Sequence, residues 1–473
     1  MESIEFPSIP ENDIKSLCEE LLKNNSINPN DYVRYQVKRG LRNADGTGVV
    51  AGLSKICSVE GYYISDGERV PMDGRLIYRG MSIQDIISNC EKENRFGFEE
   101  VAWLLIFGSL PTQTQLQQFS TILAQCRDLP DEFIEDMIMK FPSPDIMNKI
   151  ARSVLALYSF DSAADDLSVP NVLRQSIQLI AQVPAIMVNS WQVKRRTYYH
   201  QSMFLHPNNI EHSTAQFILN SLRPDMQFTD EEAKILDICL MIHAEHGGGN
   251  NSTFSTRLLT SSGTDTYSAI AAGIGSLKGP RHGGANIKVT QMIDFMKEEV
   301  RDITNEKQVA DFLRKVIRKE AGDRTGLIYG MGHAVYTNSD PRAVLLKKYS
   351  KSYAEKKGYG EDFKALELVE RLTPEIIAES KGDNKRICAN VDLYSGLVYK
   401  CLDIPQDLFT PMFASARIAG WSAHRIEELV SGGRIFRPAY KSVCYPQKYI
   451  PIAERTEPQA TASLKYIPKE ERR

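Results

Sequence analysis

The sequence has no excess of charge of either sign. Its 473 residues include 57 Lys and Arg against 60 Asp and Glu, which gives a formal net charge of -3. A protein that binds nucleic acid or a membrane surface electrostatically normally carries a concentrated basic patch. The near balance therefore argues against nucleic-acid and membrane partners, and it favours a small ligand or a protein partner.

The sequence also lacks paired cysteines and long apolar runs. Its eight cysteines are scattered and form no CxxC motif, which disfavours a zinc cage and a dense disulfide framework. No apolar run approaches the roughly 18 residues that a membrane helix needs. The first residues are acidic, whereas a signal peptide is basic and then apolar. These absences predict a cytoplasmic globular protein with reduced thiols.

Apolar periodicity predicts a mostly α fold with one small β region. Residues 56–80 alternate apolar and polar side chains around Asp66-Gly67, which is a hairpin-type turn. Most of the remaining chain shows helical spacing. Clear examples are 98–112, 143–160 and 305–322.

A change of composition divides the chain into three predicted segments. From about residue 292 to 390 the helices become richer in Lys and Glu, which indicates a smaller and more exposed domain. We therefore expect residues 1–283 to form the first part of a large domain and 284–390 a small domain. Residues 391–473 return to the large domain and end in a proline-rich, extended tail, either disordered or lying along a partner.

Two histidines lie on glycine-rich turns. His282 comes after the Gly279-Pro280 that ends a helix of small residues, and two glycines follow it. His333 comes after three closely spaced glycines. Bare backbone lets a ligand approach an imidazole closely, although a loop histidine bonded to a nearby carbonyl would explain either one alone.

Two arginines occupy positions that need an explanation. Asp340 and Pro341 predict a helix start, so Arg342 lies at its positive end, where a cation is disfavoured. Either an anionic ligand or extension into solvent accounts for it. Arg417 lies within an apolar helical face and must pair with a carboxylate, which belongs either to the protein or to a ligand.

The positions of Asp392 and His246 each allow two interpretations of their role. Asp392 begins an apolar helix, where it is either an N-cap or, in a desolvated cleft, a carboxylate base. A capping box at Thr229 predicts a buried helix with His243 and His246 in its last turn. The two histidines do not form an HExxH motif, so an anionic ligand suits this helix end better than a metal ion.

Four motifs together resemble the citrate synthase family, in that family's order. The motifs are SLKGPRHGGAN, YGMGHAVY followed by DPRA, NVDLYSGLVY and DLFTPMFASARIAGW. The resemblance covers most of residues 40–440. It implies a citrate-synthase-like fold with a large helical domain, a smaller helical domain and a small N-terminal β-hairpin region.

The resemblance implies an enzyme that condenses acetyl-CoA with oxaloacetate and then hydrolyses the citryl thioester, with no metal and no tightly bound cofactor. Asp392 would take a proton from the acetyl methyl, His282 would hydrogen-bond the thioester oxygen, and His333 would polarise the ketone. Oxaloacetate would be held by His246, Arg342, Arg417 and, from the second subunit of a homodimer, Arg437. The loop lining the CoA pocket would contain Leu327, Gly330 and Gly332.

Three rival functions remain open at this stage. A 2-methylcitrate synthase acts on propionyl-CoA, and one methylene changes affinity by only about 1–3 kcal/mol. A non-catalytic protein that binds CoA or a dicarboxylate would use the same scaffold without activity. A metal-dependent hydrolase would be abolished by a chelator.

Overall fold

The structure is a computed structural model that describes residues 11–43, 46–382, 386–444 and 446–455. The chain divides into two compact units, residues 1–50 with 437–473 and residues 51–436. Every candidate site residue except Arg437 belongs to the second unit. The described helices of the first unit are α1 (Glu11–Asn24), α2 (Pro29–Arg34) and the short 3-10 helices Arg39–Leu41 and Ile452–Glu454.

The segment that alternates in sequence forms the predicted hairpin. Strands β1 (Cys57–Ser65) and β2 (Glu68–Tyr78) are antiparallel, and β3 (Met81–Ser82) pairs with the other edge of β2. The register of β1 shifts around Gly61, where a Cβ atom would lie 2.6 Å from the carbonyl oxygen of Val335. Glycine therefore lets the sheet approach the backbone that follows His333.

Most of the rest of the second unit is helical. Helices make up 58% of the structure and strands 6%, which confirms the mostly α prediction. No described helix combines the length and the apolar composition that crossing a bilayer requires. The α-helices are α3 (Ile83–Lys92), α4 (Phe98–Phe107), α5 (Gln113–Gln125), α6 (Ile146–Leu157), α7 (Val169–Tyr199), α8 (Thr214–Leu222), α9 (Asp230–His243), α10 (Asn251–Thr260), α11 (Thr266–Lys278), α12 (Ala285–Glu299), α13 (Glu306–Ile317), α14 (Pro341–Lys356), α15 (Gly360–Lys381), α16 (Asp392–Cys401) and α17 (Phe409–Val430). Shorter helical segments are Ile134–Met139, Tyr158–Phe160 and Gln406–Leu408.

The predicted helix starts and stops are confirmed at three places. The capping box of α9 is formed by Thr229 and Glu232. The side chain of Asp340 caps α14, and Pro341 is its first residue. Helix α11 ends at Lys278, directly before Gly279-Pro280. Because these signals are local, short-range side-chain chemistry was enough to identify them.

Helix α17 lies at the centre of the second unit. It packs against α4, α7, α9, α10 and α11. Almost every residue from Phe409 to Arg425 is buried, including the charged Arg417 and Arg425. A helix that is buried all round carries no amphipathic stripe, and its charged groups need partners inside the protein or a ligand.

Two sequence-based positions are corrected. Helix α9 ends at His243, so His246 lies three residues beyond it in a loop and not in the last turn. Helix α16 begins with Asp392 itself and is preceded by Val391 in the cap position, with no side-chain cap bond. Asp392 is therefore not an N-cap. The predicted domain boundaries near residues 283 and 390 stay predictions.

Candidate active site

The loop after α9 carries His246, and the Tyr78 hydroxyl holds the backbone before it. The Tyr78 hydroxyl lies 3.1 Å from the carbonyl oxygen of Met241 and 3.0 Å from that of Glu245. Carbonyls at the end of a helix otherwise lack partners. Gly247 then turns the chain with a φ of +86°, a left-handed value that favours glycine.

The rings of His246 and His333 meet edge to face, with centroids 5.2 Å apart. Nε2 of His246 is buried and has no hydrogen-bond partner within the described residues. Burial and then the Arg342 guanidinium lower the pKa of His246 well below its ordinary value. A neutral imidazole with a nitrogen left for a ligand is the consequence.

Backbone amides determine the orientation of His333. Its Nδ1 accepts hydrogen bonds from the N–H groups of Val335, at 3.0 Å, and Tyr336, at 3.1 Å. The ring also stacks on Tyr336 with centroids 4.5 Å apart. Because Nδ1 accepts, the proton of the neutral ring resides on Nε2, which makes Nε2–H a donor.

His282 is held by a serine from another helix. Its Nε2 lies 3.0 Å from Oγ of Ser252 on α10, and the indole N–H of Trp421 donates to the same oxygen at 3.3 Å. Burial and then Arg417 lower the pKa of His282 to about 4, so it is neutral at physiological pH. The Ser252 hydroxyl also lies 2.9 Å from Oδ1 of Asn250. When it donates to Nε2 of His282 instead, the proton of His282 is on Nδ1.

Arg417 is fully buried and incompletely paired. Its Nε donates to the carbonyl oxygen of His243 at 2.6 Å, and its guanidinium carbon lies 4.7 Å from the Phe413 ring centroid. Its two terminal nitrogens have no hydrogen-bond partner within the described residues. Since unpaired buried donors on a cation are costly, this group suits an anionic ligand.

Arg342 has a protein partner, which neither of the two interpretations of the sequence included. Its Nε and Nη2 donate to the two carboxylate oxygens of Asp340 at 3.0 and 2.7 Å. Both side chains are buried, so the reading in which Arg342 extends into solvent is wrong. A carboxylate two residues earlier at the helix cap compensates the unfavourable position of the cation.

Asp392 lies half-buried at the first turn of α16. Burial raises the pKa of Asp392 to about 6, although Arg342 opposes the shift and Asp340 adds to it. A carboxylate with such a pKa is ionised at neutral pH and yet is a stronger base than an ordinary aspartate.

An aromatic residue and a buried guanidinium connect these groups. The Phe413 ring lies 6.5 Å from that of His282 and packs against Arg417. Arg342 affects the pKa values of both His246 and Asp392. The structure thus brings together His246, His282, His333, Arg342, Arg417 and Asp392 in one region of the second unit.

The loop predicted to line a CoA pocket is built on two left-handed glycines. Gly330 and Gly332 have φ values of +78° and +90°. A Cβ atom on Gly330 would lie 2.9 Å from Cα of Leu393, so the loop abuts the start of α16. Leu327 is exposed at the other end of the loop. Arg437 belongs to the first unit, and its predicted contribution to this site stays a prediction.

Sequence reasoning missed the residues that support the site. Ser252 and Phe413 carry no local signal, since a serine in a loop sequence and a phenylalanine in an apolar helix are common. Asp340 was predicted as a cap, and its spacing from Arg342 was the one available hint of a pair. Within the described residues, no group of three or more His, Cys, Asp and Glu is placed to hold a metal ion.

Comparison with known proteins identifies the family. A family model described as "Citrate synthase, C-terminal domain" matches residues 43–439. The chain belongs to the citrate synthase family. Enzymes of the citrate synthase family form a carbon–carbon bond between acetyl-CoA and oxaloacetate.

Individual relatives agree with this assignment. The citrate synthase of a Synechocystis species is 34% identical over 86% of this chain and 92% of its own length. The 2-methylcitrate synthase 1 of Corynebacterium glutamicum is 31% identical, over 89% and 99% of the two chains. A solved citrate synthase from Thermoplasma acidophilum, in a ternary complex with carboxymethyl coenzyme A and oxaloacetate, is 25% identical to this chain. The two superpose with a TM-score of 0.71 over 89% of this chain and 99% of the other. The citrate-synthase-like fold is thereby confirmed.

Proposed function

We propose that the chain is a citrate synthase that condenses acetyl-CoA with oxaloacetate and hydrolyses citryl-CoA to citrate and CoA. The observation that carries the proposal is the pair of buried terminal nitrogens of Arg417, which have no hydrogen-bond partner among the described residues and lie close to the neutral His246. A small dicarboxylate matches a buried guanidinium and a neutral donor. The proposal includes a cytoplasmic homodimer in which Arg437 of one subunit reaches the other's oxaloacetate, as the resemblance implies.

Removing a proton from the acetyl methyl group requires a base and a hydrogen-bond donor together. Asp392 is the base, and Nδ1–H of His282 donates to the thioester oxygen as the enol forms. A donor aimed at developing negative charge contributes about 3–4 kcal/mol, and a positioned base contributes roughly 10²–10⁴-fold. This role requires the proton of His282 to be on Nδ1, which is the case when the Ser252 hydroxyl donates to Nε2.

A second histidine polarises the ketone of oxaloacetate. Nε2–H of His333 donates to the ketone oxygen, while His246, Arg342 and Arg417 hold the two carboxylates. The enol carbon then attacks the ketone carbon, and the electron pair of the C=O bond moves to the ketone oxygen, which is protonated as the enol loses its proton and the thioester carbonyl re-forms. Water then cleaves the thioester and releases CoA as its thiol. Gly330 and Gly332 let the acyl-CoA approach the backbone of their loop closely.

The acyl group is what distinguishes a citrate synthase from a 2-methylcitrate synthase. Relatives named 2-methylcitrate synthase are 31% identical to the chain, close to the 34% of the Synechocystis citrate synthase. We expect kcat/KM for acetyl-CoA to exceed that for propionyl-CoA by about tenfold or more, within the range for one methylene. Release of CoA thiol with oxaloacetate, together with identification of the product, measures this ratio. A larger kcat/KM for propionyl-CoA would establish the 2-methylcitrate synthase instead.

The isosteric substitution Asp392→Asn tests the chemistry directly. It removes the base and retains the shape, so kcat should fall by roughly 10²–10⁴-fold while oxaloacetate still binds. Binding of both substrates by the wild-type protein without thiol release would indicate a non-catalytic paralogue. Loss of activity with a chelator would indicate a metal-dependent enzyme.

A further inference from the structure

The buried carboxylate of Glu245 lies beside the candidate oxaloacetate site but does not touch Arg417 there. Oε1 of Glu245 accepts hydrogen bonds from Nε2 of His424 at 3.0 Å and from the N–H of Gly247 at 2.5 Å. Oε2 of Glu245 is buried and has no hydrogen-bond partner within the described residues. One oxygen is therefore tightly held and the other is left without a donor.

Glu245 lies across one face of α17, between Arg417 and His424. A Cβ atom on Gly420 would be 2.2 Å from Oε2 of Glu245, so the carboxylate sits directly on the helix at that glycine. Arg417 is three residues before Gly420 and His424 is four residues after it, which places all three on the same face. The arginine and the histidine thus flank the carboxylate.

Glu245 balances the charge of Arg417 without occupying its donors. Burial lowers the pKa of the Arg417 guanidinium, and Glu245 is the largest opposing influence. Yet both terminal nitrogens of Arg417 and Oε2 of Glu245 lack hydrogen-bond partners within the described residues. A carboxylate beside a buried guanidinium would normally form a direct pair with it.

We propose that Glu245 is a positioning residue, held back from Arg417 by His424 and Gly247 so that the terminal nitrogens of Arg417 stay available for a substrate carboxylate. The inference rests on the proposed function, in which that carboxylate belongs to oxaloacetate. On the other side of the ring, Nδ1 of His424 lies 3.8 Å from Oε2 of Glu427, which is too far for a hydrogen bond. Without the His424 contact, Glu245 swings to Arg417 and competes with the substrate.

Two substitutions of His424 separate the contact with Glu245 from simple packing. In His424→Gln the side-chain amide can replace Nε2 and hold Glu245, whereas His424→Asn reaches only the Nδ1 position. If the released carboxylate occupies Arg417 nine-tenths of the time, the Kd of oxaloacetate rises about tenfold. We expect this rise in His424→Asn, with kcat within about twofold of wild type, and near wild-type binding in His424→Gln.

Substitution of Glu245 is the decisive test of this inference. In Glu245→Gln the amide oxygen still accepts from His424 and Gly247, and the group no longer carries the charge that attracts Arg417. The double variant Glu245→Gln/His424→Asn should therefore recover near wild-type oxaloacetate binding. Binding in the double variant as weak as in His424→Asn, or weaker, would overturn the inference, because it would mean that His424 acts only by packing.

Calorimetric binding of oxaloacetate and thiol release are measured on the same proteins, with Ser422→Ala as the matched control. Ser422 is buried on the same helix, and its hydroxyl has no hydrogen-bond partner within the described residues. The control should bind oxaloacetate like the wild type. Wild-type binding without thiol release contradicts the proposed function alone, and the binding data on the variants still decide the role of Glu245. Failure of oxaloacetate to bind the wild type contradicts both.

Discussion

At the scale of single residues, the site depends on groups whose pKa values are shifted by burial. His246 and His282 are neutral because burial and nearby guanidinium groups disfavour their charged forms. Asp392 shifts in the opposite direction because burial disfavours its carboxylate form. The same physical cause therefore produces neutral donors and a strengthened base within one region.

The raised pKa of Asp392 predicts an acidic limit to activity. Asp392 must be ionised to accept a proton, so kcat/KM for acetyl-CoA should fall about tenfold per pH unit below about pH 6. His282, with a pKa of about 4, stays neutral over that range. A pH profile from 5 to 8 measures the limit.

Asp340 provides an independent check of that assignment. Its carboxylate contributes to the raised pKa of Asp392, and it pairs with Arg342, which has the opposite effect. Asp340→Asn removes the negative charge that raises the pKa of Asp392 and leaves Arg342, which lowers it, without its partner. The pH below which kcat/KM falls should therefore move to a lower value. If the fall in kcat/KM occurs at the same pH in this variant, a group other than Asp392 causes it.

At the scale of elements, the tight packing of α10, α11 and α17 determines which glycines are required. On α11, a Cβ atom on Gly273 would lie 2.6 Å from Oγ1 of Thr256 and 3.1 Å from the Trp421 ring. Two residues later, Gly275 is exposed, and nothing lies within 4 Å of the position where its Cβ would be. One helix thus contains a glycine needed for packing and another that is not.

Alanine at these two positions should have opposite effects on stability. Gly273→Ala overpacks the interface and should destabilise the protein by about 1–3 kcal/mol. Gly275→Ala removes backbone entropy from the unfolded chain and should stabilise it by about 0.5–1 kcal/mol. Urea denaturation followed by circular dichroism measures both changes. Equal effects of the two substitutions would contradict the packing of α11 described above.

At the scale of the whole molecule, one predicted contact joins two subunits. Arg437 belongs to the first compact unit, whereas Asp392 belongs to the second. The family resemblance implies that Arg437 serves the site of a partner subunit. That arrangement would make activity depend on assembly, because a lone chain would lack one of the three arginines proposed to hold oxaloacetate.

Mixing two inactive variants tests the shared site. An Arg437→Ala subunit and an Asp392→Asn subunit form a heterodimer with one intact site when Arg437 acts across the interface. Random pairing should then restore about a quarter of wild-type activity. Native mass spectrometry confirms that heterodimers have formed. Absence of recovery in proven heterodimers would place Arg437 in its own subunit's site or outside any site.

Local patterns were sufficient for the helical class and the hairpin but not for the support of the site. The hairpin at Asp66-Gly67, the capping box of α9 and the cap of α14 depend on residues a few positions apart, and all three were predicted. The bond from Ser252 to His282 joins residues 30 positions apart, and that from Glu245 to His424 joins residues 179 apart. No periodicity or turn signal encodes such pairs.

By itself, the sequence determined the helical class, the hairpin, the family and the identity of the candidate catalytic groups, because periodicity, capping and motif order are properties of neighbouring residues. Only the tertiary structure decided that Arg342 is neutralised by Asp340 while the terminal nitrogens of Arg417 have no partner within the described residues. Burial and charge balance depend on which helices meet, and those contacts exist only in the folded chain.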